Sequence, residues 1–298
     1  MGEIREAPFS AVETDVGLAG PVRRPTNSAK SAKGSIHDDA TAQKLGFRGG
    51  TVAGSVHMEQ FPPLMAEALG SDWHRTGGLS LYFLNATTDG EPVQAFCGRV
   101  EDRPEGGRRA PVWMIDEASG QRVCEGTASV GPPDAFSALR QRLASVRPPG
   151  ELRLLEGRTP EDRVTDVPAR LSGDRAISRL DVITEDLPAY HDASVFGEIV
   201  ATPAMVVQAM REVEVPLWRP KSPYVGMFGA IEVQMLDGPV FVEHDYLCDG
   251  AILALSDSPK TEVIWYEAVL RDARDRRPVA RMILMSRLVK ASSALWAT

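Results

Sequence analysis

The sequence predicts an α+β fold made of two copies of one unit, in which an antiparallel sheet wraps around a helix. At an offset of 148 residues the two halves share two short matches, Val52-Ala53 with Val200-Ala201 and Asp89-Gly90 with Asp237-Gly238. Each half also repeats the order of an extended segment, a glycine-containing loop, a helix and several strands. A helix followed only by strands can bury its apolar face inside a curved sheet, which favours this class of fold.

Composition limits the functions that the chain can have. Its 298 residues and 43% hydrophobic content suffice for two domains of ordinary size with buried cores. A net charge of −8 argues against a nucleic-acid partner. No apolar run approaches the roughly 18 to 20 residues of a membrane span, and the first residues do not resemble a signal peptide. We therefore expect a soluble, cytoplasmic protein without a membrane partner.

Cysteines and histidines give no sign of a metal centre. The cysteines, Cys97, Cys124 and Cys248, are odd in number and far apart, which is typical of buried apolar thiols rather than of disulfides or zinc ligands. His74 and His244 have no ligand-like neighbours at metal spacing. No metal is expected.

Each unit contains one main predicted helix. The first helix covers about residues 52–69, and Pro62-Pro63 should kink or split it. Its apolar face would be formed by Met58, Phe61, Met65 and Leu69. In the second unit Thr202 is a good N-cap and Pro203 suits the first helical position, so a helix should run from there to about residue 213.

Runs rich in Val, Ile and aromatic residues predict the strands of both units. The first unit has runs at about 79–87, 93–101, 110–117 and 121–130. The second unit has runs at about 226–236, 239–247, 251–256, 261–272 and 278–290. The last two should form a hairpin.

A proline-bounded segment separates the two units. Pro132-Pro133 and Pro148-Pro149-Gly150 flank a short helical pattern, in which Leu139 and Leu143 lie four residues apart. The predicted division is therefore an N-terminal unit at 1–131, a linker at 132–150 and a C-terminal unit at 151–298.

Residues 36–58 contain the pattern that most directly suggests chemistry. His37 precedes two aspartates and a loop that contains Gly46, Gly49, Gly50 and Gly54, and a predicted helix follows. Histidine can exchange a proton near neutrality, and the free N–H groups at a helix N-terminus can stabilise a developing oxyanion. This combination suggests acyl chemistry.

The order Ile36-His37, Asp39, Gly46-Phe47 and Gly54 resembles the MaoC-like hydratase and dehydratase branch of the hotdog superfamily. The resemblance implies a double hotdog and reversible hydration of an enoyl-CoA or dehydration of a 3-hydroxyacyl-CoA. It implies no cofactor beyond the CoA of the substrate. One position departs from the family pattern, because the catalytic Asp expected five residues before the His falls on Ala32.

The predicted catalytic residues are His37, Asp38 and Asp39. His37 would be the acid and base, and one of the aspartates would be its partner. We expect Asp39 to cap the short helix that follows and Asp38 to replace the absent acid. At the 148-residue offset His37 and Asp38 correspond to Glu185 and Asp186, so the chemistry is expected in the first unit only.

The predicted substrate-binding residues lie in the loop and at the start of the helix: Arg48, Gly49, Gly50, Gly54 and Ser55. The glycines permit close backbone approach to a ligand, although they could equally shape a tight turn. The resemblance implies that the N–H near Gly54 or Ser55 polarises the thioester carbonyl. Arg48 could pair with a CoA phosphate or be solvated.

Two other functions remain open from the sequence. An acyl-CoA thioesterase would use a helix carboxylate, for which Glu59 is the candidate, and a protein that only binds acyl thioesters would be consistent with Ala32. His57 is expected to be a hydrogen-bonded packing residue, and the pair His191-Asp192 a loop feature. The partner would be an acyl-CoA or acyl-carrier thioester, and the chain could act alone or as a homodimer.

Overall fold

The computed structural model describes residues 9–296. The segment 1–8, in which no signal peptide is expected, lies outside these residues. The strands are β1 (Val12–Thr14), β2 (Gly17–Arg23), β3 (Gly78–Phe83), β4 (Val93–Gly98), β5 (Glu101–Asp102), β6 (Arg108–Asp116), β7 (Arg122–Val130), β8 (Arg163–Arg170), β9 (Gly226–Met235), β10 (Asp245–Asp257), β11 (Thr261–Asp272) and β12 (Pro278–Val289). The α-helices are α1 (Asp39–Lys44), α2 (Gly54–Met58), α3 (Pro62–Leu69), α4 (Trp73–Thr76), α5 (Ala138–Ala144), α6 (Gly173–Leu180), α7 (Pro203–Met210) and α8 (Glu214–Leu217).

The strands form one continuous antiparallel sheet to which both units contribute. Its order is β1-β2-β4-β6-β7-β3-β9-β12-β11-β10-β8, and β5 pairs with β6. The units meet where β3 pairs with β9, with Leu81 opposite Ile231. β3 begins at Gly78 and β9 at Gly226, which is the 148-residue offset of the repeat. The predicted α+β arrangement of two similar units is confirmed.

The predicted helix at 52–69 is split into α2 and α3, as its two prolines indicated. Pro62 and Pro63 occupy the first turn of α3, where a missing N–H is tolerated. Met58, Phe61 and Met65 are fully buried, so the predicted apolar face is confirmed.

The start of α7 is also confirmed. The Thr202 side chain accepts a hydrogen bond from the Met205 N–H at 3.4 Å, and Pro203 is the first helical residue. The α-helix ends at Met210, and a 3-10 turn covers Arg211–Val213. Helix α8, which begins at Glu214, follows directly after this turn.

Several strand boundaries differ from those predicted. The C-terminal unit was expected to have separate strands at 239–247 and 251–256, but β10 runs unbroken through 245–257, with a register shift near Ile252. A bulge of this kind lets a strand bend without ending. The short strands β1 and β8, at the two edges of the sheet, have weak apolar alternation and were not predicted. The last two strands, β11 and β12, form the predicted hairpin.

The linker contains the predicted helix, α5. Ser137 caps it by accepting a hydrogen bond from the Arg140 N–H at 3.3 Å, and Leu139 is fully buried against the sheet. The division at 1–131, 132–150 and 151–298 stays a prediction.

One large apolar core includes residues of both units, among them Met58, Met205 and Tyr266. The cysteines Cys97, Cys124 and Cys248 are free and buried, as predicted, and burial raises the pKa of each thiol. Over residues 9–296, no helix has the length and apolar character needed to cross a bilayer.

Candidate active site

A cavity of about 980 Å³ is lined by residues of both units. From the first unit come His37, Gly54 and Ser55, which the sequence placed in the candidate site. From the second unit come residues of the α7–α8 region and of strands β9 and β12, among them Glu214 and Arg287. The structure therefore brings the predicted base and the start of the first unit's helix to one cavity.

His37 has a defined tautomer in this cavity. Its ring Nδ1 lies 2.7 Å from the backbone oxygen of Thr51. Because a carbonyl oxygen only accepts hydrogen bonds, Nδ1 carries the proton in the neutral ring and donates it to Thr51. The other nitrogen, Nε2, is then left with its lone pair and can accept a proton.

Backbone hydrogen bonds hold His37 against the glycine loop. The Thr51 N–H donates to the Ile36 oxygen at 2.9 Å, and the Asn27 side-chain amide donates to the His37 oxygen at 2.8 Å. Asn27 is itself fixed, since its backbone N–H donates to Asp89 at 2.7 Å. Asn27 is a buried polar residue that sequence reasoning missed, because nothing near it in the chain signals a ligand or a turn of known type.

The glycine loop is required by packing around His37. A Cβ atom at Gly50 would collide with the His37 carbonyl oxygen, so this position needs glycine. The Gly50 N–H donates to the Asp39 carboxylate at 2.7 Å. Neither Gly49 nor Gly50 lines the cavity, so these two glycines shape the loop behind the base.

Asp38, rather than Asp39, caps helix α1, which corrects the predicted assignment. The Asp38 carboxylate accepts hydrogen bonds from the Thr41 hydroxyl at 2.7 Å and from the Thr41 N–H at 3.3 Å. The hydroxyl bond is the main reason that the pKa of Asp38 is lowered. Neither aspartate lines the cavity, and Ala32 is exposed.

The first peptide N–H groups of α2, on Gly54 and Ser55, form no hydrogen bond within residues 9–296. Both residues line the cavity, where these donors are available to a carbonyl oxygen. A Cβ at Gly54 would lie only 2.7 Å from the Phe83 ring, so glycine is needed there for packing as well. Because α2 is shorter than predicted, its dipole adds little to these two donors.

The second unit reaches this helix start through a side chain that the sequence did not reveal. Arg179, on α6, donates to the Ser55 hydroxyl at 3.4 Å and lies 3.5 Å from the Glu59 carboxylate. Only the folding of one unit against the other brings these residues together. Local sequence patterns therefore could not predict the contact.

Glu59 is fully buried and does not line the cavity. Its Oε1 accepts hydrogen bonds from the Thr202 hydroxyl at 2.7 Å and from the Ala204 N–H at 2.9 Å. Burial raises the pKa of Glu59, and the nearby Arg179 opposes that rise. The carboxylate thus caps the start of α7 and joins the two units.

His57 is a buried, hydrogen-bonded packing residue, as predicted. Its Nε2 lies 2.8 Å from the Thr87 hydroxyl, and burial lowers the pKa of His57 to about 4. The imidazole is therefore neutral at physiological pH and forms part of the cavity wall.

The buried His57 should make the protein less stable in acid. Between the ordinary pKa of 6.5 and the folded-state pKa of about 4, the unfolded chain binds a proton that the folded chain does not. The free energy of unfolding should therefore fall as the pH decreases through this window, by up to about 3 kcal/mol from this one group. Urea unfolding should show a shallower fall in His57→Gln, and the same fall as wild type in the exposed-site control His191→Gln. Equal slopes for all three proteins would contradict a buried neutral His57.

Two other predicted features lie away from the cavity. Arg48, the candidate for a phosphate contact, forms an ion pair with Glu91 at 2.6 Å and does not line the cavity. His191 pairs with Asp186 rather than with its neighbour Asp192, at an exposed position. Neither arrangement supports a role in the site.

Within the described residues, Glu214 is the one carboxylate that lines the cavity. It is almost fully buried and accepts hydrogen bonds from Arg211 at 2.6 Å, Arg219 at 3.0 Å and Tyr266 at 2.7 Å. Burial opposes its ionisation, but these bonds and the charge of Arg211 hold the pKa of Glu214 below its ordinary value. It is a fixed anion rather than a proton donor.

Comparison with solved structures identifies the fold. A protein from Chloroflexus aurantiacus described as a MaoC domain dehydratase superposes with a TM-score of 0.61 at 11% identity, over 95% of both chains. A protein from Mycobacterium tuberculosis with a double hotdog fold gives a TM-score of 0.56 at 13% identity, over 95% of this chain and 96% of that one. A MaoC-like dehydratase gives 0.53 at 15% identity, over 96% and 98%.

The chain therefore has a double hotdog fold, and the resemblance to MaoC-like proteins is confirmed in its structure. No family model matches the sequence. No curated protein matches it either. At these identities the structural similarity establishes the fold, and the activity has to be argued from the site.

Proposed function

We propose that the protein catalyses the reversible hydration and dehydration of an acyl thioester, between an enoyl and a 3-hydroxyacyl group. The observation that carries this proposal is the tautomer of His37, a residue that lines the cavity: its Nδ1 is held by the Thr51 carbonyl, which leaves Nε2 as the basic nitrogen. The free N–H groups of Gly54 and Ser55 line the same cavity and are suited to the thioester oxygen.

In the hydration direction, His37 Nε2 removes a proton from water as the water oxygen bonds to the β-carbon. The electron pair of the carbon–carbon double bond moves to form an enolate, whose negative oxygen is stabilised by the N–H groups of Gly54 and Ser55. The protonated imidazole then returns a proton to the α-carbon, which restores the thioester and the neutral base. The cycle uses no cofactor beyond the carrier of the substrate.

This mechanism differs from the one expected for the family in using one titratable group. Within residues 9–296 no carboxylate lies within hydrogen-bond distance of the His37 ring, and Glu214 is fixed by its own partners. In our proposal Asp38 and Asp39 are positioning residues. Asp39 holds the Gly50 N–H and Asp38 holds the turn that follows His37.

A substrate panel tests the proposed reaction. Enoyl-CoA and 3-hydroxyacyl-CoA esters of several chain lengths should interconvert, measured by the absorbance of the conjugated enoyl thioester, without release of free thiol. Thiol release in the same assay would instead indicate a thioesterase. Calorimetric binding of the esters without turnover of any of them would indicate a binding protein, and would contradict the enzymatic proposal.

A further inference from the structure

The cavity is rich in positive charge although the chain carries a net charge of −8. Four cationic residues line it, all from the second unit, and we call them the cationic wall: Arg211, Arg219, Lys260 and Arg287. Among the described lining residues they face a single carboxylate, that of Glu214. The excess is thus a local property of the cavity, opposite in sign to the protein as a whole.

Glu214 balances only part of this charge. It binds Arg211 through two hydrogen bonds, at 2.6 and 2.9 Å, and Arg219 through a third at 3.0 Å. One negative charge is therefore shared by two guanidinium groups. Within the described residues Glu214 forms no hydrogen bond with the other two members of the wall, Lys260 and Arg287.

Arg287 is the member whose surroundings are most informative. It is half-buried, and its Nη2 donates to the Tyr82 hydroxyl at 2.6 Å. Within residues 9–296 no carboxylate forms an ion pair with it. A charge withdrawn from water without a counter-ion is unfavourable, so an anion that enters the cavity would gain from binding here.

The strand next to Arg287 leaves room for its side chain. A Cβ atom at Gly229 would collide with the Met285 Cε and lie 2.8 Å from the Arg287 Nε, closer than side chains pack. Gly229 also lines the cavity. The absence of a side chain at Gly229 therefore leaves space for the side chains of Arg287 and Met285.

From this arrangement we infer that the cationic wall is a subsite for an anionic group of the substrate. Guanidinium groups match phosphate and carboxylate oxygens in geometry and charge. The anion would be either a phosphate of the carrier or a terminal carboxylate on the acyl group. The identity of the ligand as an acyl thioester rests on the proposed function, whereas the preference for an anion rests on the wall alone.

Three thioesters separate the two sources of negative charge. Crotonyl-pantetheine carries neither group, crotonyl-CoA carries the phosphates, and glutaconyl-pantetheine carries the carboxylate. We expect Arg287→Met to raise the KM of at least one anionic thioester about 10- to 100-fold, the effect of losing a hydrogen bond to a charged group. The KM of crotonyl-pantetheine and every kcat should change little. Arg274→Met removes an exposed arginine outside the cavity and should leave all three unchanged.

The pattern of KM changes across the three thioesters identifies the anion. A loss confined to crotonyl-CoA assigns the wall to the carrier phosphates, and a loss confined to glutaconyl-pantetheine assigns it to the acyl carboxylate. Equal losses on all three thioesters, or none on any, would overturn the inference, and Arg287→Lys should recover most of the affinity if charge is the cause. If no thioester is turned over, the same comparison of Kd by calorimetry tests the wall after the proposed activity has failed.

Discussion

Replacing His37 with Asn should lower kcat/KM for enoyl-CoA hydration roughly 100- to 10,000-fold, the usual range for loss of a general acid–base group. Asn can place an amide N–H where the His37 Nδ1 donates to Thr51, so the loop should keep its shape. It offers no basic nitrogen in place of Nε2. The expected result is a large fall in kcat with a thioester Kd that stays within a few-fold of wild type.

The control for this experiment is another histidine. His191→Asn changes an exposed residue outside the cavity and should leave kcat/KM unaltered. Circular dichroism and thermal melting should show both variants folded. Wild-type activity in a folded His37→Asn variant would refute the proposed role of His37.

The second large effect concerns the contact between the units. Arg23 and Glu185 are each only 3% exposed and form a paired contact, with Nε–Oε1 and Nη2–Oε2 distances of 2.6 and 2.8 Å. Arg23→Met or Glu185→Leu should each lower the free energy of unfolding by about 3–5 kcal/mol, because each removes a close opposite charge from a buried charged group. The double variant should lose less than the sum of the two single losses.

The exposed pair Arg48–Glu91 provides the comparison. Arg48 is 64% exposed, so Arg48→Met should lower the free energy of unfolding by at most about 1 kcal/mol. Urea unfolding of all four variants measures these differences. If Arg23→Met were no more damaging than Arg48→Met, the buried pair would not join the units as we infer.

The pair also explains why the two units differ. Glu185 is the residue that the 148-residue offset aligns with His37. In the second unit this position holds a buried carboxylate bound to Arg23 of the first unit, while His37 lies at the cavity. The repeated position thus joins the two units through Glu185 in the second unit and carries the proposed chemistry through His37 in the first.

Much of the fold could be predicted because it depends on local patterns. Pro62-Pro63 predicts a break in a helix and Thr202-Pro203 predicts a helix start, each through the chemistry of single residues, and the structure has helices beginning at both positions. The edge strands β1 and β8 were missed because they pair on one side only and so need little apolar alternation. Turn and cap residues are therefore strong signals for where a helix begins, whereas the weak apolar pattern of an edge strand is easily missed.

The candidate site was only partly predictable, because its second wall comes from distant sequence. His37, Gly54 and Ser55 lie within 19 residues of one another, so a local motif could group them. Arg179 and Arg287 reach the site only after the units pack together. The sequence predicted Asp39 as the helix cap, whereas Asp38 has that role, because both residues precede a helix. Only the geometry shows that Asp38 bonds to Thr41 and Asp39 to Gly50.

The central claim is that His37 activates water for addition to the acyl chain rather than to the thioester carbonyl. The most direct test uses water labelled with oxygen-18. Wild type and His37→Asn would be incubated with crotonyl-CoA in this water, and the products analysed by mass spectrometry. We predict label on the β-carbon of an intact 3-hydroxyacyl-CoA with wild type and almost none with the variant. Label in a free carboxylic acid beside released CoA, or no label with wild type, would contradict the account.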